Sequence, residues 1–243
     1  MSALRLEIAA NSLASALAAQ TGGADRIELC AALELGGLTP SHATIALARA
    51  RVKIPIYVLI RPRAGDFVYD EAECETMRRD IEHCVAEGCD GVVMGMLDAT
   101  GDVDMPRCRE LISAAGGLGV TFHRAIDVAR DPRKALEDVI ELGCERVLTS
   151  GAQANALAGA PRIRELVVQA SGRIAIMAGA GVDAGTVAAL RAQTDAHEFH
   201  ASAKRLIASR ARHATNASPG MDAGEWRTDA DEVRRLVTAL RGA

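Results

Sequence analysis

Short apolar runs recur along this chain, beginning near Leu4, Arg26, Ile56, Gly91, Gly119, Arg146, Ile174 and His197. Their starts fall roughly 30 residues apart, the length that a strand, a helix and two connecting loops require. Eight such units in 243 residues predict a (β/α)8 TIM barrel, whose usual length is about 250 residues. The segments between runs carry helix punctuation. Asn11 is placed to cap a helix over Ser12 to Gln20, and Asp70 opens one over Glu71 to Glu87 that Gly88 closes. Asp131 with Pro132 opens another that Gly143 closes, and the last helix is expected over Ala230 to Leu240.

Strand residues alternate between the barrel interior and the helix layer. Leu4, Leu6 and Ile8 suit the helix side, which turns Arg5 and Glu7 inward. By the same rule Arg26, Glu28 and Cys30 face in from the second run, and Tyr57, Leu59, Arg61 and Arg63 from the third. The fifth run contributes Thr121 and His123, and the eighth Glu198 and His200. This interior is far more charged than the branched aliphatic filling usual in such barrels. Buried lone charges cost several kcal/mol each, so these must pair or line a wet pocket. The expectation is that Arg5, Arg26 and Arg146 pair with Glu7, Glu28 and Glu198 low in the barrel, while Arg61, His123 and His200 ring the mouth.

One stretch breaks the rhythm. Lys204 to Asp229 separates the eighth run from the last helix and holds Arg210, Arg212, His213, Pro219, Gly220 and the lone Trp226. A βα loop of that length sits on the active-site rim. It is expected to be a surface insertion with a short helix of its own, a lid, or a subunit contact. Otherwise residues 1–243 read as one undivided domain, without a linker or charge block.

Composition narrows the function classes. Hydrophobic content of 49% with 25% charged residues is that of a globular domain. A net charge of −4, with no basic stripe interleaved with aromatics, argues against nucleic acid as a partner. No apolar stretch approaches the ~20 residues of a membrane span, and Arg5 and Glu7 mark the first run as a strand, not an export signal. Six cysteines, at 30, 74, 84, 89, 108 and 144, form no C-x-x-C pair. Reduced thiols in a cytoplasmic protein are therefore expected. All but Cys30 read as small core or surface residues.

Three constellations carry chemistry. Glu7, Glu28, Arg61, His123 and His200 converge at one mouth, where a carboxylate or imidazole can move a proton and arginine can fix an anion. A second is an anion cradle of Ser150 and Gly151 after the sixth run, Gly179 and Gly181 after the seventh, and Ser202 after the eighth. Barrels of this type often bind phosphate there on backbone N–H groups. The third is a metal site: Cys30 with Met94 and Met177 would suit Cu(I), and His123 with His200 and Glu7 or Glu28 a harder divalent ion.

Several segments together resemble the CutC family, named for copper homeostasis. They are Gly23-Ala24-Asp25-Arg26-Ile27-Glu28-Leu29-Cys30 with Gly36-Gly37-Leu38-Thr39-Pro40-Ser41, and Ile60-Arg61-Pro62-Arg63 with Gly65-Asp66-Phe67 and Tyr69. Thr121-Phe122-His123-Arg124-Ala125 with Asp127, and Leu148-Thr149-Ser150-Gly151, continue the likeness. The resemblance spans roughly residues 4 to 203 and implies a cytosolic (β/α)8 barrel linked to copper, with Cys30 at the family's cysteine position. Two functions are thus expected: Cu(I) binding at Cys30, or an uncharacterised barrel enzyme doing acid–base chemistry on a small phosphorylated or carboxylated, sugar-like substrate. The partner is then a copper ion or a small anionic ligand, and the chain is expected to form a homo-oligomer.

Overall fold

The computed structural model describes residues 3–210 and 224–242. The apolar runs become strands β1 (Arg5–Ala10), β2 (Arg26–Leu29), β3 (Ile56–Leu59), β4 (Gly91–Met94), β5 (Gly119–Phe122), β6 (Arg146–Thr149), β7 (Ala175–Gly179) and β8 (Glu198–Ala201). Each pairs in parallel with its chain neighbour, and β8 closes the barrel against β1, with His200 opposite Glu7. Helices α1 (Leu13–Gly22), α2 (His42–Arg51), α3 (Glu71–Ala86), α4 (Met105–Ala114), α5 (Pro132–Glu141), α6 (Ala160–Ala170), α7 (Val187–Thr194) and α8 (Ala230–Arg241) alternate with the strands. The expected TIM barrel is the fold.

Local signals explain most helix starts. Asp70 and Glu73 make a reciprocal capping box at α3, and the Asp131 carboxylate accepts from the first-turn N–H groups of α5. At α1 the cap is Ser12, one residue later than expected, because Asn11 is engaged elsewhere. Its amide accepts from Ser15 Oγ and donates to the Trp226 carbonyl at 2.8 Å. Among the described residues no helix is long and apolar enough to cross a membrane.

Strand alternation divides the core in two. Leu6, Ile8, Ile27, Leu29, Ile56, Val58, Phe122 and Phe199 pack outward against the helices. Inside lie a small apolar group, Ala9, Cys30, Tyr57, Leu59 and Val93, and the charged residues. Tyr57 lies across the lower barrel because β4 and β5 begin with glycine. A Cβ on Gly91 or on Gly119 would come within 2.2 Å of the tyrosine. The ring lies beside the guanidinium groups of Arg26 and Arg146, at 5.2 and 4.8 Å, and its hydroxyl donates to Glu145 at 2.7 Å.

Around Tyr57 the arginines pair largely as expected. Arg26 donates to Glu7 at 2.5 Å and to Glu198 at 2.6 Å, and Arg146 reaches Glu198 at 3.1 Å and Thr121 Oγ1 at 3.0 Å. Two of the expected pairings do not form. Arg5, the first residue of β1, is exposed below this layer and makes no ion pair among the described residues. Glu28 sits above the layer, with no arginine against it.

The insertion after β8 contributes β9 (Lys204–Ile207) and β10 (Glu225–Thr228), which pair antiparallel with Trp226 opposite Leu206. Its described part is strand, and the short helix offered as one possibility falls on none of the described residues. Arg212, His213, Pro219 and Gly220 lie outside the described residues. Trp226 is half-exposed, with Lys204 Nζ 5.1 Å from its ring centroid.

Candidate active site

A cavity of about 340 Å³ opens at the C-terminal end of the strands, within the range of small-molecule sites. Glu28, Arg61, His123 and His200 line it, with Gly181 and Ser202 on the β7–β8 side and Arg124 and Lys204 adding positive charge. A wider cleft of about 720 Å³ opens at the opposite face. Arg146 and Arg173 there are paired with Glu198 and Glu137, while Arg5, unpaired among the described residues, is exposed to solvent.

Three ionisable groups stack from the barrel centre to the cavity floor. Glu7, fully buried, accepts from Arg26 and meets His200 Nδ1 at 2.8 Å; His200 Nε2 lies 3.7 Å from Glu28 Oε2. Burial alone would raise the Glu7 carboxyl, but Arg26 and His200 outweigh it and hold it at about 2. Among the described residues Glu28 accepts no hydrogen bond. Its burial, opposed by the charges of His200 and Arg26 and reinforced by Glu7, pushes it up to about 7. His200 is raised: burial works against its charge, and the two carboxylates more than compensate. Near neutral pH Glu7 is thus ionised while Glu28 is poised between its two forms, the arrangement that separates a fixed counter-charge from a proton-transfer group.

Arg61 and His123 form the facing wall. Arg61 reaches the carbonyls of Leu35 and Gly37 through Nη1 and of Gly65 through Nη2, which ties two rim loops together and leaves Nε without a partner. His123 Nδ1 accepts from the Ala125 N–H at 3.2 Å, which puts the proton on Nε2, also without a partner. Burial first, and then the charge of Arg61, pushes the imidazole down to about 3, so it is neutral. Phe67 lies against both, 5.2 Å from the guanidinium and 4.8 Å from the imidazole.

The cradle after β6 is filled from within the chain. Asp127, in the 3-10 turn after β5, accepts from Thr149 Oγ1 at 2.5 Å, Ser150 N at 3.0 Å, Ser150 Oγ at 2.9 Å and Ala152 N at 3.1 Å. Arg124 Nε completes the set at 2.8 Å. Burial raises the Asp127 carboxyl, yet these donors hold it below its usual range. Gly151 is needed for the loop itself: its φ is +69°, and a Cβ would meet the Gly159 carbonyl at 2.3 Å. Gly179 makes room for Leu148 and His200, at 2.5 and 3.1 Å from the position of a Cβ. Of the expected cradle, Gly181 and Ser202 line the cavity, whereas Ser150, Gly151 and Gly179 support its walls.

The soft donors do not converge. Cys30 is buried among Ala9, Leu59 and Val93, and that burial, with the Glu28 and Glu34 charges, pushes its thiol well above the usual range. Met94 belongs to the outer core, and Met177 Sδ accepts from Arg26 at 3.4 Å. For a harder ion, Glu7, Glu28 and His200 offer ligand atoms within 4.8 Å of one another, without His123. All six cysteines are free. Phe67, Asp127, Arg124 and Lys204 are the site residues that strand alternation does not reach, since they lie on loops or on β9. Phe67, Arg124 and Asp127 do fall in the segments that carry the family resemblance.

A closed (β/α)8 barrel with ionisable groups gathered at its C-terminal mouth defines the class: a TIM-barrel protein with an enzyme-like cavity. The model of the CutC family matches residues 4–205, and the chain belongs to that family. A family protein CutC from Xanthomonas axonopodis pv. citri is 58% identical over 98% of this chain and 99% of its own length. One from Xylella fastidiosa (strain Temecula1) is 60% identical over 97% of this chain and 88% of its own. Among solved structures, a Streptococcus agalactiae protein provisionally named copper homeostasis protein CutC superposes with a TM-score of 0.78 at 32% identity, covering 82% of this chain and 98% of that one. Phosphoribosylanthranilate isomerase from Thermotoga maritima shares the fold, with a TM-score of 0.60 at 13% identity over 99% of this chain and all of that one.

Proposed function

We propose that the mouth cavity carries out proton transfer on a small anionic organic molecule, with Glu28 as the group that moves the proton. The observation behind this reading is Glu28 itself, a carboxyl at the cavity floor that, among the described residues, forms no ion pair with an arginine and accepts no hydrogen bond. Poised at about 7, it is both an available acid and an available base at neutral pH. His200, oriented by Glu7, faces it from below the rim and supplies the charge that answers its ionisation. Arg61, whose partners are neutral carbonyls, and Lys204 favour a phosphorylated or carboxylated substrate, and the cavity volume restricts it to a small one.

The family name carries a second reading, copper binding, for which Cys30 is the nominated ligand. Cu(I) takes a thiolate beside other soft donors, and Cys30 offers an enclosed, protonated thiol with neither methionine beside it, so these residues do not fit the ion. Six free cysteines suit a reducing compartment, and on that ground we read the chain as cytoplasmic.

The test is deuterium exchange in D2O, followed by proton NMR over a panel of small hydroxy acids, oxo acids and sugar phosphates. Wild-type protein is expected to label at least one compound at carbon, and Glu28→Gln to slow that labelling by about 100-fold or more. No labelling by wild type, or equal labelling by the variant, would reject the reading.

A further inference from the structure

Two N–H groups of the cavity-lining side chains have no acceptor among the described residues. Arg61 Nε and His123 Nε2 belong to side chains that are 8% and 5% exposed, and both side chains line the cavity. A buried donor left unpaired is unfavourable, and native structures rarely retain one without a reason. Here the two are held in place by unrelated contacts. Three backbone carbonyls fix the Arg61 guanidinium, the Ala125 N–H fixes the His123 ring, and Phe67 packs against both.

We propose that Arg61 and His123 form a two-donor seat for a carbonyl or carboxylate oxygen, and that the substrate is an α-oxo or α-hydroxy carboxylate whose enolate oxygen occupies it. The inference rests on the acid–base reading of the same mouth. In the step it implies, the Glu28 carboxylate takes a proton from the carbon next to the carbonyl. The C–H pair becomes the C=C bond, and the carbonyl π pair moves onto the oxygen, which becomes the enolate oxygen held by the two N–H groups. Glu28 then returns its proton to carbon, and no oxidant, reductant or further reactant is needed.

The two donors divide the work. Arg61 supplies a fixed positive charge. His123 remains a neutral imidazole at physiological pH, because burial and the neighbouring guanidinium disfavour its protonation, so it stabilises the oxygen by hydrogen bonding without giving up its proton. A carboxylate or enolate fits a seat of two side-chain donors. A phosphate suits the ring of backbone and hydroxyl donors that Asp127 already occupies.

The probe is oxalate, a planar mimic of a carboxylate-bearing enolate, titrated into protein labelled with ¹⁵N-histidine, with sulfate as the control anion. The His123 Nε2–H resonance is expected to shift saturably with oxalate and not with sulfate. Calorimetry should show oxalate binding about tenfold weaker in His123→Phe, which keeps a ring against Phe67, and close to wild type in His123→Gln, which keeps a donor. Glu28→Gln should bind oxalate at least as well as wild type, because it removes a negative charge from the floor. Oxalate that fails to bind at millimolar concentration, that binds without moving the His123 resonance, or that binds His123→Phe like wild type would overturn the seat. Equal effects of sulfate would overturn the substrate class. Oxalate bound at His123 with no deuterium exchange in any compound would keep the seat and discard proton transfer by Glu28.

Discussion

Replacing Glu28 with glutamine distinguishes a carboxyl kept for chemistry from one that holds the barrel together. The folded protein holds this proton up to about pH 7, whereas the unfolded chain releases it near 4.5. Between those values the folded state binds the extra proton, so stability falls as pH rises. The contribution is fully present below 4.5 and lost as pH climbs through 7. Each pH step is worth about 1.4 kcal/mol, which sets the loss over this interval at about 3 kcal/mol. Glutamine has the shape of the protonated carboxyl and cannot ionise. Wild type and Glu28→Gln should therefore melt together near pH 5, and the variant should pull ahead by pH 8. For a chain of this size the gap would be about 6–12 °C. His200, also raised, loses stabilisation in the same direction, and because the Glu28 charge is the largest cause of that rise, the difference between the two proteins reports Glu28 and His200 titrating as a pair. The assay is thermal unfolding by circular dichroism in matched buffers from pH 5 to 8. A variant that melts far below wild type at both ends, with parallel curves, would exclude a carboxyl kept for chemistry. It would make Glu28 a structural ion-pair partner, whose removal costs about 3–5 kcal/mol.

Three further outcomes follow from the geometry. Cu(I) competition titrations of wild type and Cys30→Ser should coincide, since the thiol is buried and held protonated; tighter binding by wild type would restore the copper reading. Asp127→Ala should lower the melting temperature, by an amount corresponding to about 1–3 kcal/mol, and millimolar phosphate should restore part of it by filling the vacated donors. No rescue would show that the loop needs a tethered carboxylate and not merely an anion. Gly91→Ala should destabilise by about 1–3 kcal/mol through collision with Tyr57, and Tyr57→Leu in the same chain should recover part of that. Strict additivity of the two substitutions in unfolding experiments would contradict the packing described.

The barrel was legible because its signals are local. Period-two alternation turns Glu7, Glu28, Arg61, His123 and His200 inward whatever the rest of the chain does, and all of them are inside. Pairing was only half legible, because partners are chosen across the barrel. Arg26 meets Glu198 at a separation of 172 residues, and no strand pattern shows that Glu28 stands one layer above its expected arginines. Arg5 shows the limit at strand ends, where an inward position below the last closed layer is already in solvent. Asp127 was hidden for a different reason. Small residues and glycines after β6 look alike whether they await a solute or a side chain from the neighbouring turn, and only the folded chain identifies the occupant.

The Asp127 carboxylate makes one flank of the mouth self-sufficient. A tethered anion is present at an effective concentration that dissolved competitors at micromolar levels do not match, and it does not diffuse away. The β6 side of the rim thus takes its shape before any guest arrives and keeps it after the guest leaves. Across the opening, Arg61 Nε and His123 Nε2 still lack acceptors among the described residues. The mouth is therefore polarised, satisfied on one side and wanting on the other. A guest with one charged end has a single favourable way to enter, and its orientation is decided as much by the place already taken as by the place left open.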